Sequence, residues 1–228
     1  MSTSLPADLQ KVLAGRRDGL EVFDSISPAK TALLAVDMQR AWTDPEGPWF
    51  FPEARAVIPS INRLAGALRD AGGRVVWVQH VTGQPGTPDY WGNYLDHFVS
   101  DAQREGALAA IQDGSPFRDL DGALDVQAAD LTVAKKRYSA MIRTSSNLEW
   151  MLREQGIDTA IVAGVQTNMC VESTARDAMM LDFKVFLPHD ASGARTPEDH
   201  LAGLRTIGQV FADIRPVDDL IELIDAAD

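Results

Sequence analysis

The sequence predicts an α/β fold: a doubly wound, mainly parallel six-stranded sheet with helices on both faces. Short runs such as Thr31-Ala-Leu-Leu-Ala-Val36 and Thr159-Ala-Ile-Val-Ala-Gly-Val165 are apolar throughout. A strand covered on both faces requires that pattern. Between such runs lie segments with apolar residues at helical spacing, for example Ile58, Ile61, Leu64, Ala65 and Leu68. The alternation continues to the end of the chain, which implies parallel strands joined by right-handed crossovers. With 228 residues, one large domain is favoured over two at a prior of roughly 150 residues per domain.

Residues 1–30 read as an N-terminal arm that packs on a neighbour, and residues 31–228 as a single domain. Within the arm, residues 9–12 suggest a helical turn, and Ser27-Pro28 a turn before the first strand. Strands are expected at 31–36, 74–81, 131–134, 159–165, 184–187 and 212–214. Helices are expected at 57–71, stopped by Gly72-Gly73, and at 148–155, 169–180, 197–210 and 217–224. The helix at 197–210 has proline at its start, where a missing N–H costs nothing. The stretch 82–130 reads as irregular, with one short helix near 107–111.

Composition narrows the function. Acidic side chains outnumber basic ones 33 to 21, for a net charge of −12, whereas a nucleic-acid partner needs a basic face. No apolar run approaches the roughly 20 residues that span a bilayer. The first eleven residues are too polar for a secretory signal. A single cysteine precludes an internal disulfide, and a reducing, cytoplasmic location is expected.

In doubly wound sheets, ligands sit outside the carboxyl ends of the strands. There the sequence places Asp37 after the first strand, and Gln79 and His80 at the end of the second. Lys135 and Lys136 follow the third, Cys170 the fourth, and His189 and Asp190 the fifth. A thiol becomes a nucleophile as thiolate, which a helix N-terminus or a nearby ammonium stabilises. Asp37 is placed to take the thiol proton and return it to a leaving group. The competing reading makes Cys170 a small buried hydrophobe. Strand alternation sends Lys135 and Lys136 to opposite faces, so one alone can meet the cysteine.

The stretch Gly164-Val-Gln-Thr-Asn-Met-Cys-Val-Glu-Ser-Thr-Ala-Arg-Asp-Ala178 resembles the nucleophile signature of the isochorismatase-like cysteine hydrolases. Ala35-Val-Asp37-Met-Gln39 is similar to that family's first-strand aspartate motif, and Lys135-Lys-Arg-Tyr-Ser-Ala140 to its lysine motif. The three stand in family order. The likeness is greatest to members acting on N-carbamoyl, biuret or ureidoacrylate substrates. It implies a catalytic triad of Asp37, Lys135 and Cys170. It further implies a cis peptide between Val165 and Gln166, with the backbone N–H groups of Gln166 and Cys170 forming an oxyanion hole. Trp42, Tyr138 and Gln39 are candidates for substrate contact. The implied activity is hydrolysis of a small amide or ureido C–N bond with release of ammonia, and the implied assembly a homodimer or homotetramer. The chain departs from the family in having Met141 where phenylalanine is common, and two extra residues near 144–147.

Metal-dependent relatives carry an Asp-x-His element, whereas the loop after Asp37 runs Met-Gln-Arg-Ala-Trp-Thr-Asp-Pro-Glu. No metal or nucleotide cofactor is therefore expected. A Cys–His pair through His80 or His189 lacks any local signature. Aromatic residues crowd two loops, Trp42, Trp49, Phe50 and Phe51 in one and Tyr90, Trp91, Tyr94 and Phe98 in the other. These suit pocket walls or a lid, and equally a subunit interface. Two other functions fit the same fold: vinyl-ether hydrolysis, which has no use for the thiol, and a non-catalytic oligomeric binding protein.

Overall fold

The computed structural model describes residues 5–15 and 19–227. Of the expected N-terminal arm, residues 1–4 and 16–18 lie outside the described residues, as does residue 228 of the expected domain. The elements run α1 (Ala7–Ala14), β1 (Thr31–Val36), α2 (Arg40–Thr43), α3 (Pro52–Ala56), α4 (Ile58–Asp70) and β2 (Arg74–His80). They continue with α5 (Gly92–Leu95), α6 (Asp101–Ile111), β3 (Leu131–Lys135), α7 (Leu148–Glu154) and β4 (Thr159–Val165). A π-helical turn, Thr167–Val171, leads into α8 (Glu172–Met180), followed by β5 (Lys184–Pro188), β6 (Ser192–Gly193), α9 (Pro197–Val210), β7 (Asp213–Arg215) and α10 (Val217–Asp225).

Six strands form the parallel path β3-β2-β1-β4-β5-β7, and the two-residue β6 adds a seventh beside β4. Six had been expected. A two-residue strand is too short to produce a periodic signal, which explains the missing one. Alternate side chains of β1 enter opposite layers, as the pleat dictates. Leu33 and Ala35 pack with α4 and α10, while Ala32, Leu34 and Val36 pack with α7, α8 and α9. Both faces are thus covered, and the apolar runs read from the sequence are the two-sided core. The N-terminal helix does not reach away. Leu9 and Leu13 are buried in the same layer as Leu204 and Ile207 of α9.

Sequence reasoning also shortened α6, which spans eleven residues. Its start is a capping box in which Ser100 accepts from the Gln103 amide and Gln103 returns the bond. That Ser-x-x-Gln signal is present in the sequence.

The chain reverses its winding between β1 and β4, the point where such sheets open a crevice. Close approach there depends on Gly164, which pairs with Val36 at φ +104°. A Cβ at this position would overlap the Val36 carbonyl oxygen and lie 2.8 Å from its nitrogen. Gly164→Ala is therefore expected to cost about 3 kcal/mol or more, since backbone strain of ~1–3 kcal/mol adds to a clash with rigid main chain. Urea unfolding at an unchanged m-value measures it; a loss under about 1 kcal/mol would contradict this account.

Candidate active site

Four neighbouring strands deliver the polar groups to the crevice. Asp37 ends β1 in a left-handed conformation, φ 55°, which aspartate tolerates. Its amide donates to Val78 O on β2 at 2.8 Å. Lys135 ends β3, two strands away from β1. At about 4.8 Å per strand, a long side chain must cross beneath β2 to reach the aspartate. Lysine provides that reach: its Nζ lies 3.0 Å from Asp37 Oδ2. From the other side of β1, the turn after β4 brings Cys170 Sγ to 3.2 Å from the same Nζ. Of the two candidate lysines, Lys135 is thus the one within this cluster. Lys136 lies outside the cluster: it lines the cavity beside it and pairs with Asp89 at 2.7 Å.

Lys135 is wholly buried, and its ammonium is fully engaged. Besides Asp37 and Cys170, it faces His80 Nδ1 at 3.0 Å and Arg137 O at 3.2 Å. Three N–H groups thus meet four acceptors. Burial alone would lower the lysine pKa, but the charges and hydrogen bonds of Asp37 and Cys170 outweigh it and raise it. Burial, with Lys135 and Arg137 nearby, drives His80 well below the ordinary histidine range. The imidazole is therefore neutral, and the network assigns Nδ1 as the acceptor from lysine.

Burial raises the Asp37 pKa, and Lys135 opposes that rise. One carboxylate oxygen, Oδ1, is buried and makes no hydrogen bond of ordinary geometry among the described residues. Burial also pushes the Cys170 thiol up, with the Asp37 charge adding to the rise and Lys135 only partly offsetting it. The sulfur lies in the π-turn ahead of α8. Desolvation and a neighbouring carboxylate both disfavour its anion. Single π-turns occur frequently at functional sites.

The Val165–Gln166 peptide is cis, at the place the resemblance implied. The Gln166 carbonyl accepts from the amides of Met169, at 3.0 Å, and Val171, at 3.2 Å. These bonds close the turn around the cysteine.

A cavity of about 260 Å³ opens onto Asp37 and Cys170. Trp42 and Tyr138 line it, with Trp49, Trp91 and Tyr94. Trp42 lies against Trp49 at a ring separation of 4.9 Å, and Tyr138 meets Trp91 edge-on at 4.8 Å. Gln39, in contrast, does not line the cavity. It is wholly buried, and its amide is used by the main chain: Nε2 donates to Arg118 O and His80 O, while Oε1 accepts from His80 N. The expected contact with substrate is therefore replaced by a role in fixing the end of β2 beside β1. The pair His189 and Asp190 is likewise occupied elsewhere. Asp190 Oδ1 accepts from Val217 N at the start of α10, and the His189 amide bonds Arg215 O.

Three contributors were not read from the sequence. His80 appeared only as a partner for cysteine, not for lysine. Ser145, in the stretch 144–147, accepts through Oγ from the amides of Lys136 and Arg137, holding the loop after Lys135. Arg195 lines the cavity, donates to Trp49 O at 3.1 Å and lies over Phe51, and it makes no ion pair among the described residues. For a divalent metal the residues present do not fit, because Asp37 is held by the ammonium. Among the described residues no three His, Cys, Asp or Glu side chains cluster. Nor is any described helix long and apolar enough to cross a membrane.

A thiol, a carboxylate and an ammonium at the switch point of a doubly wound sheet define a cysteine-hydrolase type of site. An isochorismatase-domain family model matches residues 31–219, and the chain belongs to that family. It is similar to a cysteine hydrolase from Pseudomonas syringae pv. phaseolicola, at 27% identity and TM-score 0.81, covering 91% of this chain and 98% of that one. It is also similar to a pyrazinamidase of Pyrococcus horikoshii solved with zinc, at 25% identity and TM-score 0.68, covering 82% and 99% respectively. N-carbamoylsarcosine amidase from Thermoplasma acidophilum shares the fold at 23% identity and TM-score 0.66, with 83% and 97% covered.

Proposed function

We propose that the protein is a cysteine-dependent amidohydrolase acting on a small amide or ureido C–N bond. The observation that carries this reading is the bridging of Asp37 Oδ2 and Cys170 Sγ by one buried ammonium, which leaves Asp37 Oδ1 free as a base. In the reaction, Asp37 takes the thiol proton as sulfur bonds to the substrate carbonyl carbon. The carbonyl electron pair moves onto oxygen, and the N–H groups of Gln166 and Cys170 stabilise the oxyanion. Collapse breaks the C–N bond, with the proton passing from Asp37 to the departing ammonia. Water then attacks the thioester, giving its proton to Asp37. The acid leaves, and the sulfur regains a proton. Lys135 keeps Asp37 ionised and balances charge on sulfur.

The cavity's size and aromatic walls favour a flat, compact substrate. Arg195, which makes no ion pair among the described residues, favours one that carries its own anion. Ureido acids and N-carbamoyl amino acids combine these features. A screen for ammonia release across ureido acids, biuret, carboxamides and lactams, with mass spectrometry for a Cys170 thioester, tests the assignment. Release from no member of the panel counts against it. Arg195→Ala is expected to raise KM for carboxylate-bearing substrates about tenfold, the low end for a charged hydrogen bond near solvent. Neutral amides should be unaffected. An equal effect on both classes would remove the anion from the argument. A chain with one cysteine and no internal disulfide suits a reducing compartment.

A further inference from the structure

Helix α9 contributes nothing to the cavity wall, yet it abuts the back of the turn that carries Cys170. Thr167, the first residue of that turn, is wholly buried, and its Oγ1 lies 2.8 Å from His200 Nδ1. Burial, reinforced by His189, lowers the His200 pKa to about 4, so the ring is neutral in the working range. A neutral imidazole and a hydroxyl at that distance share one hydrogen bond, whose direction follows the tautomer.

One helical turn further on, Gly203 meets the same segment. A Cβ there would lie 3.0 Å from Asn168 Cα and N, and 3.1 Å from Thr167 C. With a side chain there, the neighbouring main chain would have to give by a few tenths of an ångström. The helix thus grips residues 167–168 by one hydrogen bond and one close backbone approach, both on the side away from substrate.

We propose that His200 is a positioning residue for the nucleophile turn: through Thr167, it fixes where the amides of Gln166 and Cys170 sit. The catalytic consequence rests on the amidohydrolase reading; the mechanical one does not. A displaced oxyanion donor costs rate rather than substrate affinity, because it acts on charge that develops in the transition state.

Two measurements separate these claims. In hydrogen-exchange mass spectrometry, Thr167→Val and His200→Leu are expected to accelerate exchange of the peptide spanning residues 166–171 at least about tenfold, while β1 and β5 peptides keep parental rates. Thr167→Ser and His200→Asn, which keep a donor and an acceptor in place, should restore protection to within about threefold. In ammonia release, the Val and Leu variants should lose about 10- to 100-fold in kcat with KM within about twofold. Their combination should be no worse than either alone. Unchanged exchange in both disruptive variants overturns the proposal. So does failure of Ser and Asn to restore protection, or a kinetic loss that falls on KM. If the parent releases no ammonia from any substrate, or Cys170→Ala still does, the amidohydrolase reading fails, and exchange alone judges the brace.

Discussion

Cys170→Ala is expected to reduce ammonia release by about 10⁴-fold or more, the scale on which loss of a nucleophile is felt when the rest of a catalytic unit is intact. The melting temperature should hardly move, because a small buried side chain is exchanged for a slightly smaller one. Loss of rate without loss of fold therefore isolates chemistry from stability. Circular dichroism and thermal melts accompany the kinetics. Since burial and the Asp37 charge hold the thiol up, iodoacetamide should label the parental cysteine slowly at neutral pH and faster as pH rises. The pH–rate profile has a matching sign. Asp37 must be ionised to accept the thiol proton, and its pKa is raised. kcat/KM should accordingly fall on the acid side at a pH above the ordinary carboxylate value. Retained turnover in Cys170→Ala would falsify covalent catalysis outright.

Much of this site was legible in the sequence because three motifs fall at strand ends, and strand ends are the most readable feature of a doubly wound sheet. The apolar runs before Asp37, Lys135 and Cys170 fix which rim each occupies. Gln39 was misread because motif membership says that a residue is near a site, not which way its side chain points. Its amide turned out to satisfy the main chain of His80 and Arg118. Arg195 was missed for a related reason: it lies on the loop after β6, a strand of two residues that leaves no period in the sequence. How strongly the lysine favours the thiolate is not legible in the sequence, because a charge list cannot weigh desolvation. With both neighbours wholly buried, desolvation outweighs the pull of the lysine. Alternation separates Lys135 from Lys136 without saying which of them meets the cysteine; the structure puts Lys135 on Asp37 and Lys136 on Asp89.

Lys135→Met should abolish turnover and also destabilise the fold, and the two effects can be separated. Methionine fills most of the volume, so the main loss is electrostatic. Asp37 is left buried without its cation, and breaking a buried pair from one side costs about 3–5 kcal/mol. The sign of the pH dependence distinguishes this from a packing defect. Burial already raises the Asp37 pKa, with Lys135 the main opposing influence, so removing the lysine raises it further. Between the unfolded and folded pKa values the folded state then binds the extra proton, and stability falls as pH rises through that window. The variant should therefore be weakest at neutral pH and recover under mild acid, opposite to the usual effect of acid on proteins. Asp37→Asn in the same chain removes the stranded charge, and should restore much of the stability at neutral pH while leaving the protein inactive. Chemical denaturation of single and double variants at pH 5 and 7 measures both terms. If Lys135→Met is equally destabilised at the two pH values, and Asp37→Asn brings no recovery, the lysine acts through packing. The electrostatic link between acid, ammonium and thiol would then have to be abandoned.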